Sequence, residues 1–454
     1  MRLRLACLPL VFCAGALAQS VRITWIGQAC FYVQTGDAGP VVVTDPPAAN
    51  NGYPLPTLPA DVTTVTHNHT DHNFTAGVRG SVTVVDGRPV TTRTEMTAAN
   101  LPFVLIPGFH DNQNGTQRGA NTIIAWTQAG MRFAHFGDYG QDQLSDAQLT
   151  DLRNLDVLFV PAGGFFTIDA ARAAALVEQL RPRVAVLMHL RTALGGPAQL
   201  AAFPAVARPF ASVVHKASSV VLSRDQLPAA TEVWLMEPAA DGAVVNAAGF
   251  TAGAPVAPGS LASLFGTFTG APTAGASEVP LPRRLGTVDV LVRGAAAPLL
   301  YVSAGQINFQ IPRDLPEGQW LGEVRVDGQR VARASVTVVP RAPGLFAVVG
   351  PDGRINAARR GDVVLIFANG QGEVAPAIAD GEAAPSDPLS WTPAVPEVRF
   401  GDKRATVHFS GLAPTFVGLW QINATIPADA PTGPAVPLVV VHGLASNTTP
   451  IAID

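Results

Sequence analysis

Lysine is nearly missing from this 454-residue chain: Lys216 and Lys403 are the only two, and charged residues of all kinds reach only 14%. With a formal net charge of −4, no basic stripe exists for a phosphate backbone to follow, which excludes nucleic acid as an expected partner. Cysteine is equally scarce. Two of the three, Cys7 and Cys13, fall in the first 20 residues, so Cys30 alone remains beyond them and no internal disulfide is expected. No apolar run reaches the ~20 residues that a membrane span requires. The scarcity of charge is matched by 48% hydrophobic residues, which argues against disorder. The 43 glycines and 39 prolines then read as punctuation between many short strands.

The opening MRLRLACLPLVFCAGALAQS carries Arg2 and Arg4, an apolar run and Ala16-Leu17-Ala18 before Gln19. This is the pattern of a secretory leader cut after Ala18, and it predicts a secreted or periplasmic protein with no transmembrane segment once residues 1–18 are removed. Residues 19–238 mix strands with helices. VRITWIG (21–27), CFYVQT (30–35), VVVTD (41–45), VTTVTH (62–67), SVTVVDG (81–87), NTIIAWT (121–127), MRFAHFGD (131–138) and VAVLMH (184–189) read as strands. Helices are predicted over 141–154 and 168–180, the second capped by Thr167. This is an α/β layer domain. A linker is expected over 239–259, followed by an all-β tail. The tail repeats itself: Gln306-Ile307-Asn308-x-x-Ile311-Pro312 recurs as Gln421-Ile422-Asn423-x-x-Ile426-Pro427. Two immunoglobulin-like sandwiches, 260–340 and 341–454, account for the repeat.

The densest chemistry lies in VTHNHTDHNF, where His67, His69, Asp71 and His72 crowd one strand end although the chain has only nine histidines. Side chains at i and i+2 of extended backbone point the same way, so His67 and His69 can grip one cation while Asp71 and His72, past the bend, face a second. Further ligands must come from other strand ends. His110 in LIPGFHD, Asp138 in HFGDYG and His189 in LMHL are the candidates, with His135 as the alternative to His110. His135 is expected on the strand face opposite Asp138, in a supporting role. Asp45, which ends VVVTD, is either a turn residue before Pro46 or the partner of a liganding histidine. His408 and His442 stand without companions and read as core or surface residues.

The order HxHxDH, H, GD, H resembles the metallo-β-lactamase superfamily. THNHTDH, HFGDYG, VPAGGFFTID and LMHLRT resemble its branch containing ascorbate-6-phosphate lactonase and N-acyl-phosphatidylethanolamine phospholipase D. That resemblance implies an αββα sandwich with two divalent ions at one edge, zinc first, manganese or iron as alternatives. It assigns His67, His69 and His110 to one ion, Asp71, His72 and His189 to the other, and Asp138 to both. Gln28 departs from the histidine usual in the branch's opening motif, which leaves substrate preference open. The chemistry implied is hydrolysis of an ester, lactone, amide or phosphodiester in a small-molecule or lipid-like substrate, by a hydroxide bridging the ions, with Asp71 also handling the proton of the leaving group. GSLASLFGTFTG, APLLYVSAGQINFQIP and FSGLAPTFVGLWQINATIP resemble a C-terminal module of secreted Acidobacteria proteins, which suggests cell-surface association. The alternative is a surface adhesion or binding protein in which the tail acts and the metal site is structural.

Overall fold

The computed structural model describes residues 19–48, 53 and 59–454. The expected leader and most of the loop 46–59 lie outside them. Within 19–238 the chain folds into two sheets. Strands β1 (Ser20–Gly27), β2 (Cys30–Thr35), β3 (Val41–Thr44), β4 (Val62–Val65), β5 (Thr83–Asp86) and β13 (Ser219–Ser223) form a six-stranded sheet in the order β13-β1-β2-β3-β4-β5. An eight-stranded sheet takes β6 (Thr94–Ala98), β7 (Leu101–Phe109), β8 (Ala120–Gln128), β9 (Met131–His135), β10 (Val157–Pro161), β11 (Val184–Met188), β12 (Val214–Lys216) and β14 (Glu232–Met236), in the order β12-β14-β11-β10-β9-β8-β7-β6. β3, β4 and β5 run parallel, as do β9, β10 and β11, and the inner strands β4, β10 and β11 are valine-rich and buried along their whole length. Large aromatics fill the space between the sheets: Phe31 of β2 lies 4.4 Å from Phe159 of β10, with Trp126 and Phe133 stacked beyond.

Both described α-helices contact the eight-stranded sheet, and no α-helix among the described residues covers the outer face of the other. α1 is Asp146–Asp151, shorter than expected. Its start is fixed by a reciprocal pair, Gln148 N–H to Ser145 Oγ and Ser145 N–H to Gln148 Oε1. α2 is Ala170–Leu180, and its cap is Asp169 rather than Thr167. The Asp169 carboxylate accepts the Arg172 N–H at 2.9 Å, whereas the Thr167 hydroxyl is spent on the Ile168 carbonyl.

The expected linker 239–259 is not one. Its first half forms β15 (Gly242–Asn246), which pairs antiparallel with β16 (Leu261–Gly266) and parallel with the strand Gln329–Val338. Val256 also exchanges backbone hydrogen bonds with Thr337 and Val339. Ala257, Val339 and Ala342 belong to the apolar core of the first domain, and Glu237 accepts a hydrogen bond from Thr337 at 3.2 Å. The two parts are thus joined through packed surface. The segment 242–338 forms one continuous ten-stranded sheet around its own core, whereas 344–453 builds a four-stranded and a six-stranded sheet over a shared core.

The repeat has a structural counterpart. In each copy the isoleucine of Gln-Ile-Asn is buried, and Gln306 donates to Asn308, as Gln421 does to Asn423, at 2.8 and 2.9 Å. In each, a glycine in left-handed backbone, Gly259 or Gly361, donates its N–H to the carbonyl of the following isoleucine, Ile311 or Ile426.

Candidate metal centre

Every cluster residue sits where a strand ends. β4 delivers Thr66 and His67 and then turns through His69, Asp71 and His72, with His72 N–H bonded to the His69 carbonyl. β7 delivers His110, β9 delivers His135 and then Asp138, and β11 delivers His189. His67, His72, His110, Asp138 and His189 are buried, His69 is exposed and Asp71 lies between. Gly137 lets β9 approach β4 closely. Its φ is +53°, and a Cβ there would stand 2.7 Å from Thr66 Cβ at the end of β4 and 2.5 Å from Asn121 Oδ1, the atom that receives the Asp138 N–H.

Asp138 is the centre of the arrangement. Its Oδ2 lies 3.0 Å from His110 Nε2 and 3.7 Å from His67 Nε2; its Oδ1 lies 3.2 Å from both His72 Nε2 and His189 Nε2. His69 Nδ1 closes the first group at 3.0 Å from His67 Nε2, and Asp71 Oδ2 closes the second at 3.6 Å from His72 Nε2. His67, His69, His110 and Asp138 therefore converge as one possible ligand group, and Asp71, His72 and His189 as another.

The tautomers follow from the hydrogen bonds. Asp45, fully buried, accepts the Thr66 N–H on Oδ1 and the Thr66 hydroxyl on Oδ2; the same Oδ2 receives His72 Nδ1–H at 2.9 Å. Because the Thr66 proton is given to Asp45, Thr66 Oγ1 can only accept at 3.0 Å from His67 Nδ1. Both histidines are thereby protonated at Nδ1 and turn their Nε2 lone pairs toward Asp138. Lone pairs facing carboxylate oxygens require a proton or a cation between them. His72 Nε2 and Asp138 Oδ1 are indeed buried with no hydrogen-bond partner, the environment that a cation would complete.

Electrostatics agree with that demand. Burial opposes the Asp138 charge, but the imidazoles of His189 and His72 outweigh it and hold the carboxyl well below the usual range. Burial likewise disfavours His72 as a cation, yet Asp138 and then Asp45 lift it well above an ordinary imidazole. His67 goes the other way, pushed down to about 3 by burial and by His72. Asp138 thus stays ionised beside a neutral His67 imidazole, and the negative charge that draws a proton to His72 would equally draw a divalent ion in its place.

His135 is outside both groups. Its Nε2 bonds the Ala29 carbonyl at 2.8 Å, and its Nδ1 receives the Gly137 N–H and stands 4.0 Å from Asp45. His408 and His442 join no candidate group among the described residues. Three residues contribute in roles the sequence did not show, Gln28 having stood out only as a departure from the branch's opening motif. Thr66 relays Asp45 to His67. Gln28, at φ +53°, donates from Nε2 to Asp71 Oδ2 at 3.2 Å and accepts the His189 N–H on its carbonyl. Asp111, next to His110, gathers four backbone N–H groups of the following loop. Only Asp111 had a local signal, an aspartate opening a Gly- and Asn-rich turn.

The β-lactamase superfamily domain model matches residues 22–189. A UPF0173 protein of Pyrococcus furiosus is 31% identical over 188 residues, covering 38% of this chain and 84% of that protein. A UPF0173 metal-dependent hydrolase of Nitratidesulfovibrio vulgaris is 32% identical over 197 residues, covering 38% and 80%. A solved Zn-dependent hydrolase of the superfamily from Thermotoga maritima aligns over 48% of this chain and 100% of its own, at 26% identity and a TM-score of 0.39. With a ligand-like constellation at the strand ends and relatives of this similarity spanning most of their own length, the chain belongs to the metallo-β-lactamase superfamily of metal-dependent hydrolases.

Proposed function

We propose that the protein is an exported binuclear hydrolase, with His67, His69, His110 and Asp138 holding one divalent ion and Asp71, His72, His189 and Asp138 the other. The observation that carries this reading is the division of Asp138, each oxygen facing a separate pair of imidazole nitrogens. Zinc suits five imidazoles; manganese or iron suits the two carboxylates. Such a pair of ions supplies Lewis acidity and an activated water at neutral pH.

The chain's own residues do the rest. Asp45 and Thr66 hold two imidazoles in the liganding tautomer. Asp71, whose side chain is 33% exposed, stands at the rim, tethered by Gln28, where it can pass a proton to a leaving group. The substrate is an ester, lactone, amide or phosphodiester of a small-molecule or lipid-like compound, in keeping with the sequence resemblance to the lactonase and phospholipase branch. Export rests on residues 1–18, and we assign the tail, whose 344–453 unit we read as immunoglobulin-like, to cell-surface association.

The test is metal analysis of the exported protein together with a hydrolysis screen over lactone, ester, amide and phosphodiester substrates. Close to two equivalents of metal and turnover of one substrate class are expected. Tight metal binding with no turnover of any class would favour a binding protein acting through its tail.

A further inference from the structure

On the His110 side of the metal centre opens a cavity of about 400 Å³ whose walls include Arg118, Asp142, Phe165, Phe166, Asp169 and Arg172. Every carboxylate that lines it is already committed. Asp111 receives the backbone N–H groups of Gln113, Gly115, Gln117 and Arg118 at 2.7–3.0 Å. Asp142 pairs with Arg172 at 2.8 Å, and Asp169 caps α2.

The Arg118 guanidinium is different. It is half-buried and has no carboxylate, carbonyl or hydroxyl partner among the described residues. It lies over two rings instead, 5.9 Å from the centroid of Phe165 and 5.5 Å from that of Phe166. A guanidinium on aromatic faces keeps its in-plane N–H donors for a further partner. The aromatic wall is itself unusual. Phe165 is 61% exposed and held at φ +56°, left-handed backbone that a bulky side chain keeps only where the surroundings impose it. The loop carrying Arg118 is pinned by Asp111, the residue after His110, so the cation is positioned relative to the metal centre by the backbone itself.

We infer that this cavity is a substrate subsite for an anionic group, a carboxylate, sulfonate or phosphate, bound by Arg118 while Phe165 and Phe166 receive the flat or apolar portion that adjoins it. The inference rests on the hydrolase reading above and narrows its substrate class to compounds bearing a negative charge away from the bond that is cut.

Two readouts test it separately. Benzenesulfonate, a weak metal ligand with both features, is titrated calorimetrically into the metal-loaded wild type, Arg118→Gln and Arg118→Lys. Binding weaker by at least about tenfold is expected for Arg118→Gln, as for loss of a charge-assisted contact, with Arg118→Lys intermediate because it keeps the charge but not the planar stack. Second, the ratio of kcat/KM for a succinate half-ester of p-nitrophenol to that for the neutral acetate ester is compared across the three proteins. It falls in Arg118→Gln, chiefly through KM. Absent binding in the wild type, or equal binding in all three, overturns the subsite whatever the esters do. Arg118-dependent binding with neither ester cleaved upholds the subsite and counts against ester hydrolysis.

Discussion

Asp45→Asn isolates the tautomer control from the ligands themselves. The change is nearly isosteric, and asparagine tolerates the left-handed backbone at this position, φ +34°, so the turn after β3 should survive. What changes is acceptor capacity. Asp45 takes three protons, from Thr66 N, Thr66 Oγ1 and His72 Nδ1, and places two of them on Oδ2. An amide can keep the Thr66 N–H on its oxygen but presents a donor where Oδ2 was. His72 then loses its Nδ1 partner or shifts the proton to Nε2, where it blocks coordination. His67 is affected one step removed, through Thr66 Oγ1. Loss of such an outer partner lowers metal affinity about 10- to 100-fold, or roughly 1.4–2.7 kcal/mol. Chelator competition with wild type and variant should show that weakening, larger for the ion held by His72 than for the one held by His67. Unchanged affinity for both equivalents would refute the relay.

Asp138→Ala removes an oxygen from each proposed ion and should empty both positions, whereas His135→Ala, bonded to a backbone carbonyl, should lower turnover modestly and leave metal content intact; metal content and activity of both variants check this. Burial raises Glu237 from 4.5 to about 8. Between those values the unfolded chain has released its proton while the folded one retains it, so stability falls as pH rises, at up to about 1.4 kcal/mol per pH unit, less because the residue keeps some surface. Glu237→Gln should flatten that slope in thermal melts from pH 5 to 8. A chain ending at Pro238 loses Ala257, Val339 and Ala342 from the first core and the Thr337 partner of Glu237, so its Tm should fall below that of the whole protein; an unchanged Tm would show that this interface contributes nothing.

The parts of the fold legible in the sequence are those set by local pattern. The alternating and continuous apolar runs of β1, β2, β8 and β11 announce themselves within a residue or so, and the dense HxHxDH segment points to metal without help from context. Local chemistry also misleads. Thr167 is as good a cap by type as Asp169, and only the competing Ile168 carbonyl decides between them. β15 lay hidden because its Val244 and Val245 sit amid alanine and glycine and depend on strands about 20 and 90 residues away. The tether from Gln28 to Asp71 was unreadable for the same reason, since the two are distant in sequence and no periodicity links a turn to a strand end. His135 was expected to turn away by strand alternation, but β9 stops at His135, and what draws the ring aside is the Ala29 carbonyl.

The strand ends that converge on Asp138 come from both sheets: β4 belongs to the six-stranded one, while β7, β9 and β11 belong to the eight-stranded one. An ion gripped there is a cross-link as well as a reagent, tying residues as far apart in sequence as His67 and His189. The sheets otherwise meet through apolar packing and a few hydrogen bonds, such as Gln128 Nε2 to the Val33 carbonyl and His135 Nε2 to the Ala29 carbonyl, whereas coordination fixes several distances and angles at once. Since the ligands come together only in the folded chain, every ion bound adds to folding stability, about 2.7 kcal/mol when free metal is a hundredfold above its dissociation constant. The chain's resistance to unfolding would therefore change with the free metal concentration around it, through the very strand ends that bring the ligands together.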